Sequence, residues 1–434
     1  MSEIDTAKIF NGQGLPKETY VPQEHGRFEK ELIEGLHAAG TLCLLTGSSK
    51  TGKTTLYNTV LGSAKLVPLR VGCAGNMTAD EFWKKPLEIL DFSRLTSRQS
   101  AESSQTQTEG KISGELNWVW LAKLIGETKL GTARSDSESD IREKVLASPS
   151  CHHLIPLLKH SNTILVIDNF HYLSKETQII VFQQLKDVCE AEISVIVIST
   201  THRGADLAHA NPDLPGRIRH IELRRWSDAD LTKIAEKGFS KLKVKFDSTV
   251  FDAIARECAG LPIVMQQTCA QLFADRGMQL VRPGSEVEFS AQDGWSALHK
   301  VAVSRYREFE SWYKRLTRGP KKDLKRDETY SLILSAFAKN PQKFDLTRDE
   351  ICERLDGSRI GSKSQTEKLI EKTLDGLKEF QQSYGIELLE WSAQDDSVYV
   401  IEPSFLFYVR WRNAAGRQPD PVEDTISKLR SSRR

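Results

Sequence analysis

Leu42-Cys43-Leu44-Leu45-Thr46-Gly47-Ser48-Ser49-Lys50-Thr51-Gly52-Lys53-Thr54-Thr55 is the stretch on which the fold turns. Its apolar half is too short for a helix and is bounded by turn formers, which suits a buried parallel strand. Gly47 to Thr54 then satisfies G-x-x-x-x-G-K-[ST] at every fixed position, and Thr55 to Val60 reads as the start of a helix. Strand, glycine-hinged loop and helix in that order form a phosphate-binding loop. Backbone N–H groups converging at a helix N-terminus favour a polyphosphate. Gly47 and Gly52 allow the turn and the close approach. Lys53 is placed for the β- and γ-phosphates and the Thr54 hydroxyl for Mg²⁺, while Ser48, Ser49, Lys50, Thr51 and Thr55 supply the rest of the cradle. A Gly/Ser/Thr turn matching by chance would lack the flanking strand and helix.

Downstream, Thr163-Ile164-Leu165-Val166-Ile167-Asp168 is an apolar strand ending in a carboxylate, followed by Asn169-Phe170-His171. Beside a phosphate loop, such an aspartate supports Mg²⁺, directly or through water; otherwise it would only cap the next turn. Further apolar strands at Leu66 to Val71, Ile193 to Ile198 and Arg219 to Leu223 alternate with helical segments, among them the amphipathic Ser174 to Cys189. The alternation predicts parallel α/β units with ligands at the carboxyl ends of the strands.

With 434 residues the chain is about three times a typical domain. A net charge of +1 with 27% charged residues points to neither a nucleic-acid binder nor an enzyme for acidic substrates, so any basic patch is local. Seven scattered cysteines without C-x-x-C read as reduced core residues. No leader pattern is visible and nowhere do about 18 apolar residues run together, so a cytoplasmic, soluble protein without a membrane partner is expected. Cys151-His152-His153 shows no third ligand at sensible spacing, and a metal site is not expected there.

The expected organisation is an N-terminal arm (1–24) and an α/β core (25–226) carrying a polar, partly helical insertion with mobile loops (about 92–160). A helical lid (227–283), a linker helix with a basic joint (284–326), a compact unit (327–412) and a basic tail (413–434) follow. Pro86 should kink or split the helix over Thr78 to Leu90, and Trp295 to Arg315 should be one helix. Ser227-Asp228-Ala229-Asp230 resembles an N-terminal capping box, opening the lid. Lys314, Arg315, Arg318, Lys321, Lys322, Lys325 and Arg326 crowd the joint, as a solvated linker or a phosphate contact. In 327–412, three helical stretches precede an alternating hairpin, suggesting a winged helix. Its third helix carries Glu367, Glu371, Asp375 and Glu379 among its lysines, which leans toward protein docking rather than base reading.

The phosphate loop, Ile167-Asp168, Ile198-Ser199-Thr200-Thr201-His202-Arg203, Gly216-Arg217-Ile218-Arg219 and Gly260-Leu261-Pro262 together resemble the AAA+ and STAND branch of ATPases, nearest to the origin-recognition-like ATPases with a C-terminal winged helix. The resemblance implies a three-layer parallel P-loop NTPase sheet with a helical lid, ATP or ADP as the nucleotide and Mg²⁺ as its metal. It makes Thr200, Thr201 or Arg203 the γ-phosphate sensor, sets Arg217 where the family offers an arginine to a neighbour in a homo-oligomer, and sets Pro262 near the adenine. Arg217 and Arg219 otherwise read as a solvated strand edge. Two departures stand out. Asn169 replaces the family's Glu base and cannot take a proton, so hydrolysis of ATP to ADP and phosphate should be slow unless His171 or Glu176 substitutes. Ile263-Val264-Met265 follows Pro262 without the lid arginine. A nucleotide-gated switch that relays a signal or loads a partner is therefore implied, with a bacterial defence or mobile-element setting by analogy. A DNA-binding ATPase of the origin or transposition kind is the alternative, and a scaffold keeping ATP as a structural cofactor a third.

Overall fold

The computed structural model describes residues 3–12, 14–102, 145–200, 216–318, 324–339, 342–355, 363–386, 388–414 and 417–420. Most of the expected insertion, Thr201, Arg203, much of the basic joint and the basic tail lie outside the described residues. The chain divides into two compact units, one of residues 25–47 and 53–223, the other of 1–24, 48–52 and 224–434.

Strands β1 (Ile4–Asp5) and β2 (Leu42–Thr46) come first in the chain, and β2 is the phosphate-loop strand. With β3 (Val67–Gly72), β4 (Thr163–Asp168), β5 (Val195–Ile198) and β6 (Ile218–Glu222), β2 forms a parallel sheet in the order β3-β4-β5-β2-β6. Alternation along each strand sorts the side chains into two cores. Leu42, Leu44, Leu165, Ile167, Val195 and Val197 pack on one face with Phe82, Leu154, Phe182 and Leu185. Cys43, Leu45, Val166, Ile196, Ile198 and Ile221 pack on the other with Phe28, Leu32, Leu56 and Val60. Both faces are covered, so the strands read as continuous apolar runs and the unit is a three-layer α/β/α sandwich.

Helix termini follow local chemistry. Ser174 caps Lys175–Glu190 by accepting from the Thr177 N–H, and Ser150 caps Cys151–Lys159 by accepting from the His152 N–H. Between Arg27–His37 and β2, Gly40 has φ +70° and an added Cβ would sit 2.2 Å from the Cys189 carbonyl oxygen. Only glycine fits that turn. Pro86 does not split the helix. Ala79–Glu102 is one helix running through the proline, which sits beyond the first turn, so the helix forgoes one bond there.

In the other unit, Asp228–Leu242, Ser248–Glu257 and Pro262–Asp275 are the three expected lid helices. The N-terminal stretch is not a free arm. β1 pairs antiparallel with β7 (Leu280–Val281), and Phe10 stacks among Phe239 and Phe273 at 5.9 and 6.2 Å. Gly238 makes room for it: a Cβ there would meet the Phe10 ring at 2.2 Å. Trp295 to Arg315 is two helices, Ala291–Arg305 and Phe309–Arg318, parted at Tyr306. Beyond them, Leu324–Ala338, β8 (Asp345–Thr347), Arg348–Leu355, Lys363–Asp375, Leu377–Ser383, β9 (Leu389–Ser392), β10 (Ser397–Val400) and Pro403–Trp411 follow in chain order. β10 lies between β8 and β9, so the hairpin gains a third strand that its sequence did not announce. Gly376 splits the long third helix in two.

Candidate functional site

Three residues bend the loop with positive φ: Gly47 at +143°, Lys50 at +62° and Gly52 at +102°. An added Cβ at Gly52 would touch the Trp226 ring only at 3.7 Å, so backbone conformation rather than space requires that glycine. Lys53 opens the helix Lys53–Ser63, and its Nζ donates to the Gly47 carbonyl at 2.6 Å. Thr51 Oγ1 donates to the Ser48 carbonyl at 2.9 Å. Thr54 and Thr55 continue the first helical turn.

Parallel register brings Asp168 opposite Gly72, at the carboxyl end of β4. Its carboxylate is buried and accepts from Arg70 of β3, through Nε at 2.9 Å and through Nη2. Burial acts to lower the Arg70 pKa, but the hydrogen bond and charge of Asp168 outweigh it and raise the value. Arg70 was not singled out in the sequence. Its position two residues before Gly72 on the neighbouring strand is visible only once the register is known.

Asn169 adopts φ +61° and ψ +37°, the left-handed region, before the short turn Phe170–Tyr172. Asparagine is among the few side chains that enter this region readily, which gives a backbone reason for its place here. Glu176 is exposed in the first turn of Lys175–Glu190, where the helix dipole accounts for it.

β5 lies between the loop strand and the aspartate strand. At its carboxyl end Ser199 Oγ and Thr200 Oγ1 are buried without a protein partner among the described residues. Orphaned hydroxyls at the end of the strand between β4, which ends in Asp168, and β2, which leads to Gly47, fit a phosphate-bearing ligand with its cation, because such a ligand would satisfy them. Lys53 and Thr54 would hold the phosphates. Thr54 and Asp168 would hold Mg²⁺, which screens the phosphate charge when bound.

Arg217 lies at the opposite end of the sheet. Its carbonyl accepts from the Leu42 N–H at the start of β2, and its Nη1 donates to the Cys189 carbonyl at 3.0 Å. The length of β2, about 16 Å, separates it from the loop of its own chain. Arg219 pairs with Glu34. Pro262 occupies the first position of Pro262–Asp275, after Gly260 at φ +67°.

The unit that contains Ser48–Gly52 also anchors that segment. Trp226 Nε1 donates to the Thr51 carbonyl at 2.8 Å, and the Trp226 N–H donates to the Gly260 carbonyl at 3.2 Å. Lys50 Nζ donates to Ser404 Oγ at 2.8 Å, pairs with Glu402 at 3.1 Å and lies 5.2 Å from the Tyr306 ring centre. None of these partners is suggested by sequence spacing.

Strand order, loop and carboxylate together define an α/β P-loop nucleotide-binding fold. Solved structures similar to this chain include a Walker-type ATPase of Pyrococcus abyssi, at 14% identity over 89% of this chain and 95% of that one, with a TM-score of 0.48. Cdc6p of Pyrobaculum aerophilum is similar at 11% identity over the whole of both chains, with a TM-score of 0.41. The Thermotoga maritima RuvB Holliday junction branch migration motor is similar at 14% identity over 88% and 94%, with a TM-score of 0.38. No protein-family model and no curated protein matches the chain. Among the described residues no helix is long and apolar enough to cross a membrane.

Proposed function

We propose that this protein is an ATP-binding, Mg²⁺-dependent nucleotide switch of the AAA+/STAND type with slow hydrolysis. The observation that carries the reading is the double use of the loop. Lys50 and Thr51 lie inside the phosphate-binding motif, yet they are held by Glu402, Ser404 and Trp226, and Trp226 is bonded in turn to the turn before Pro262. A triphosphate entering the loop competes with Glu402 for Lys50 and reorients the Thr51 peptide. Nucleotide occupancy and the set of these helices are then linked, and linkage is reciprocal. Asn169 supports slow turnover, since its amide positions water without accepting a proton.

Glu402→Gln keeps the side-chain oxygen that caps Pro403–Trp411 but removes the negative charge that pairs with Lys50. We expect ATP-analogue affinity to rise about fivefold, the equivalent of about 1 kcal/mol for a part-buried pair. Equal affinity in wild type and variant, with an unchanged protease-digestion pattern on adding the analogue, would overturn the switch reading. Lys53→Ala, which abolishes binding under the same reading, is the control.

Arg217, remote from its own loop, acts on a nucleotide only across an interface in a homo-oligomer. The mass in solution with no nucleotide, with ADP and with a non-hydrolysable analogue tests this, with Arg217→Ala beside the wild type. Growth with the analogue alone that Arg217→Ala abolishes is the expected result; a constant mass sinks it. Protein docking through the C-terminal winged-helix-like unit is preferred over DNA contact. In the described part of the basic joint, Lys314 is paired with Glu310 at 3.1 Å.

A further inference from the structure

Cys151 and His152 open the helix Cys151–Lys159, and the fold brings Asp187 of Lys175–Glu190 against them. Cys151 Sγ, a His152 ring nitrogen and an Asp187 carboxylate oxygen all lie within 4.8 Å of one another, with His152 Nε2 3.7 Å from Asp187 Oδ2. We propose that these three residues form a binding site for a zinc-class divalent cation.

The chemistry of the set selects the ion. One thiolate, one imidazole and one carboxylate make a mixed sulfur, nitrogen and oxygen donor set, which suits Zn²⁺ or Co²⁺ and not the all-oxygen preferences of Mg²⁺ or Ca²⁺. Bond lengths near 2.3 Å to sulfur and 2.0–2.2 Å to nitrogen and oxygen put tetrahedral ligands about 3.3–3.6 Å apart. The observed separations need only a small contraction. The His152 and Asp187 side chains, 68% and 43% exposed, are free to make it, while Cys151 is fixed in the core. A fourth position remains for water. The thiol proton leaves to solvent as the metal–sulfur bond forms, and no electrons move.

The ordinary alternative is a core cysteine beside a surface His–Asp pair. It predicts no metal–sulfur bond. A bound ion would instead staple the two helices that precede and follow β4, the strand that ends in Asp168. The site is thus independent of the nucleotide reading.

Titration of the tag-free, nucleotide-free protein with Co²⁺ tests the proposal. We expect a sulfur-to-cobalt charge-transfer band in the near ultraviolet together with intense visible d–d bands, displaced by Zn²⁺ and untouched by Mg²⁺. Cys151→Ser should abolish the charge-transfer band. His152→Ala and Asp187→Asn, neither of them at a buried position, should each weaken Co²⁺ at least tenfold. The other six cysteines are buried elsewhere, so a band that survives Cys151→Ser would overturn the assignment. So would saturating Co²⁺ without a charge-transfer band, or His152 and Asp187 variants that bind Co²⁺ as tightly as the wild type.

Discussion

At Asp168 a buried carboxylate needs a positive partner, and Arg70 provides it. Under the proposed function, Mg²⁺ would be the cation that competes with Arg70 for it. Arg70→Ala should destabilise the protein alone by about 1–3 kcal/mol, the cost of leaving that group unsatisfied. Mg·ATP should then raise the melting temperature of the variant more than that of the wild type, as one cation replaces the other. Equal shifts in calorimetry would place the metal away from Asp168. Asn169 invites a second test at the same scale. Asn169→Glu forces glutamate into φ +61° and should cost about 1 kcal/mol, whereas Asn169→Gly should be near neutral. The turn at Gly47 and Gly52 and the strand that ends in Asp168 were legible in sequence because their patterns are local. Arg70, Trp226, Glu402 and Asp187 were not, since each meets its partner only through strand register or tertiary packing.

Elements were legible where one periodicity ruled. β4 spans Thr163–Asp168, the residues its apolar run and terminal carboxylate predict, and Ser174 and Ser227 cap the helices expected of them. Reading failed where packing overrode local propensity. Pro86 is tolerated inside a helix, Tyr306 breaks one whose period continues, and the first residues are pinned by aromatic stacking. Gly238→Ala tests that last point. Helix propensity alone would gain about 1 kcal/mol, but the new Cβ meets the Phe10 ring and overpacking costs about 1–3 kcal/mol. A net fall in melting temperature, relieved by adding Phe10→Leu, is expected. At β8 the joint is electrostatic. Glu350 accepts from Lys343 at 2.5 Å and from the Thr347 N–H at 3.1 Å, and these bonds hold its carboxyl below the ordinary value of 4.5. A depressed folded value means the contribution is complete above pH 4.5 and is lost as the pH falls through it. Wild type should therefore melt above Glu350→Gln at neutral pH, and the gap should close in acid.

Across the whole molecule, the chain passes between its two units at residues 24/25, 47/48, 52/53 and 223/224, so the phosphate loop is itself divided between them. In the unit of residues 1–24, 48–52 and 224–434, the lid and the C-terminal helices share one core, from Ile9 and Phe10 to Phe407 and Trp411. That core contains an ion pair with almost no exposure, Arg410 to Glu257, at 2.5 and 2.9 Å, with a third bond from Arg410 to the Ala338 carbonyl at 2.9 Å. Removing one partner strands a buried charge, so Arg410→Ala should cost about 3–5 kcal/mol, while Arg410→Met with Glu257→Leu should recover most of it. Hydrogen exchange in rising urea separates the outcomes. If the units unfold independently, Arg410→Ala lowers the midpoint for peptides of 224–420 and leaves those of 53–102 unchanged. If both midpoints fall together, the molecule is one cooperative body, and any nucleotide-driven change in the lid must then act on the whole of it rather than through the Lys50 and Trp226 contacts alone.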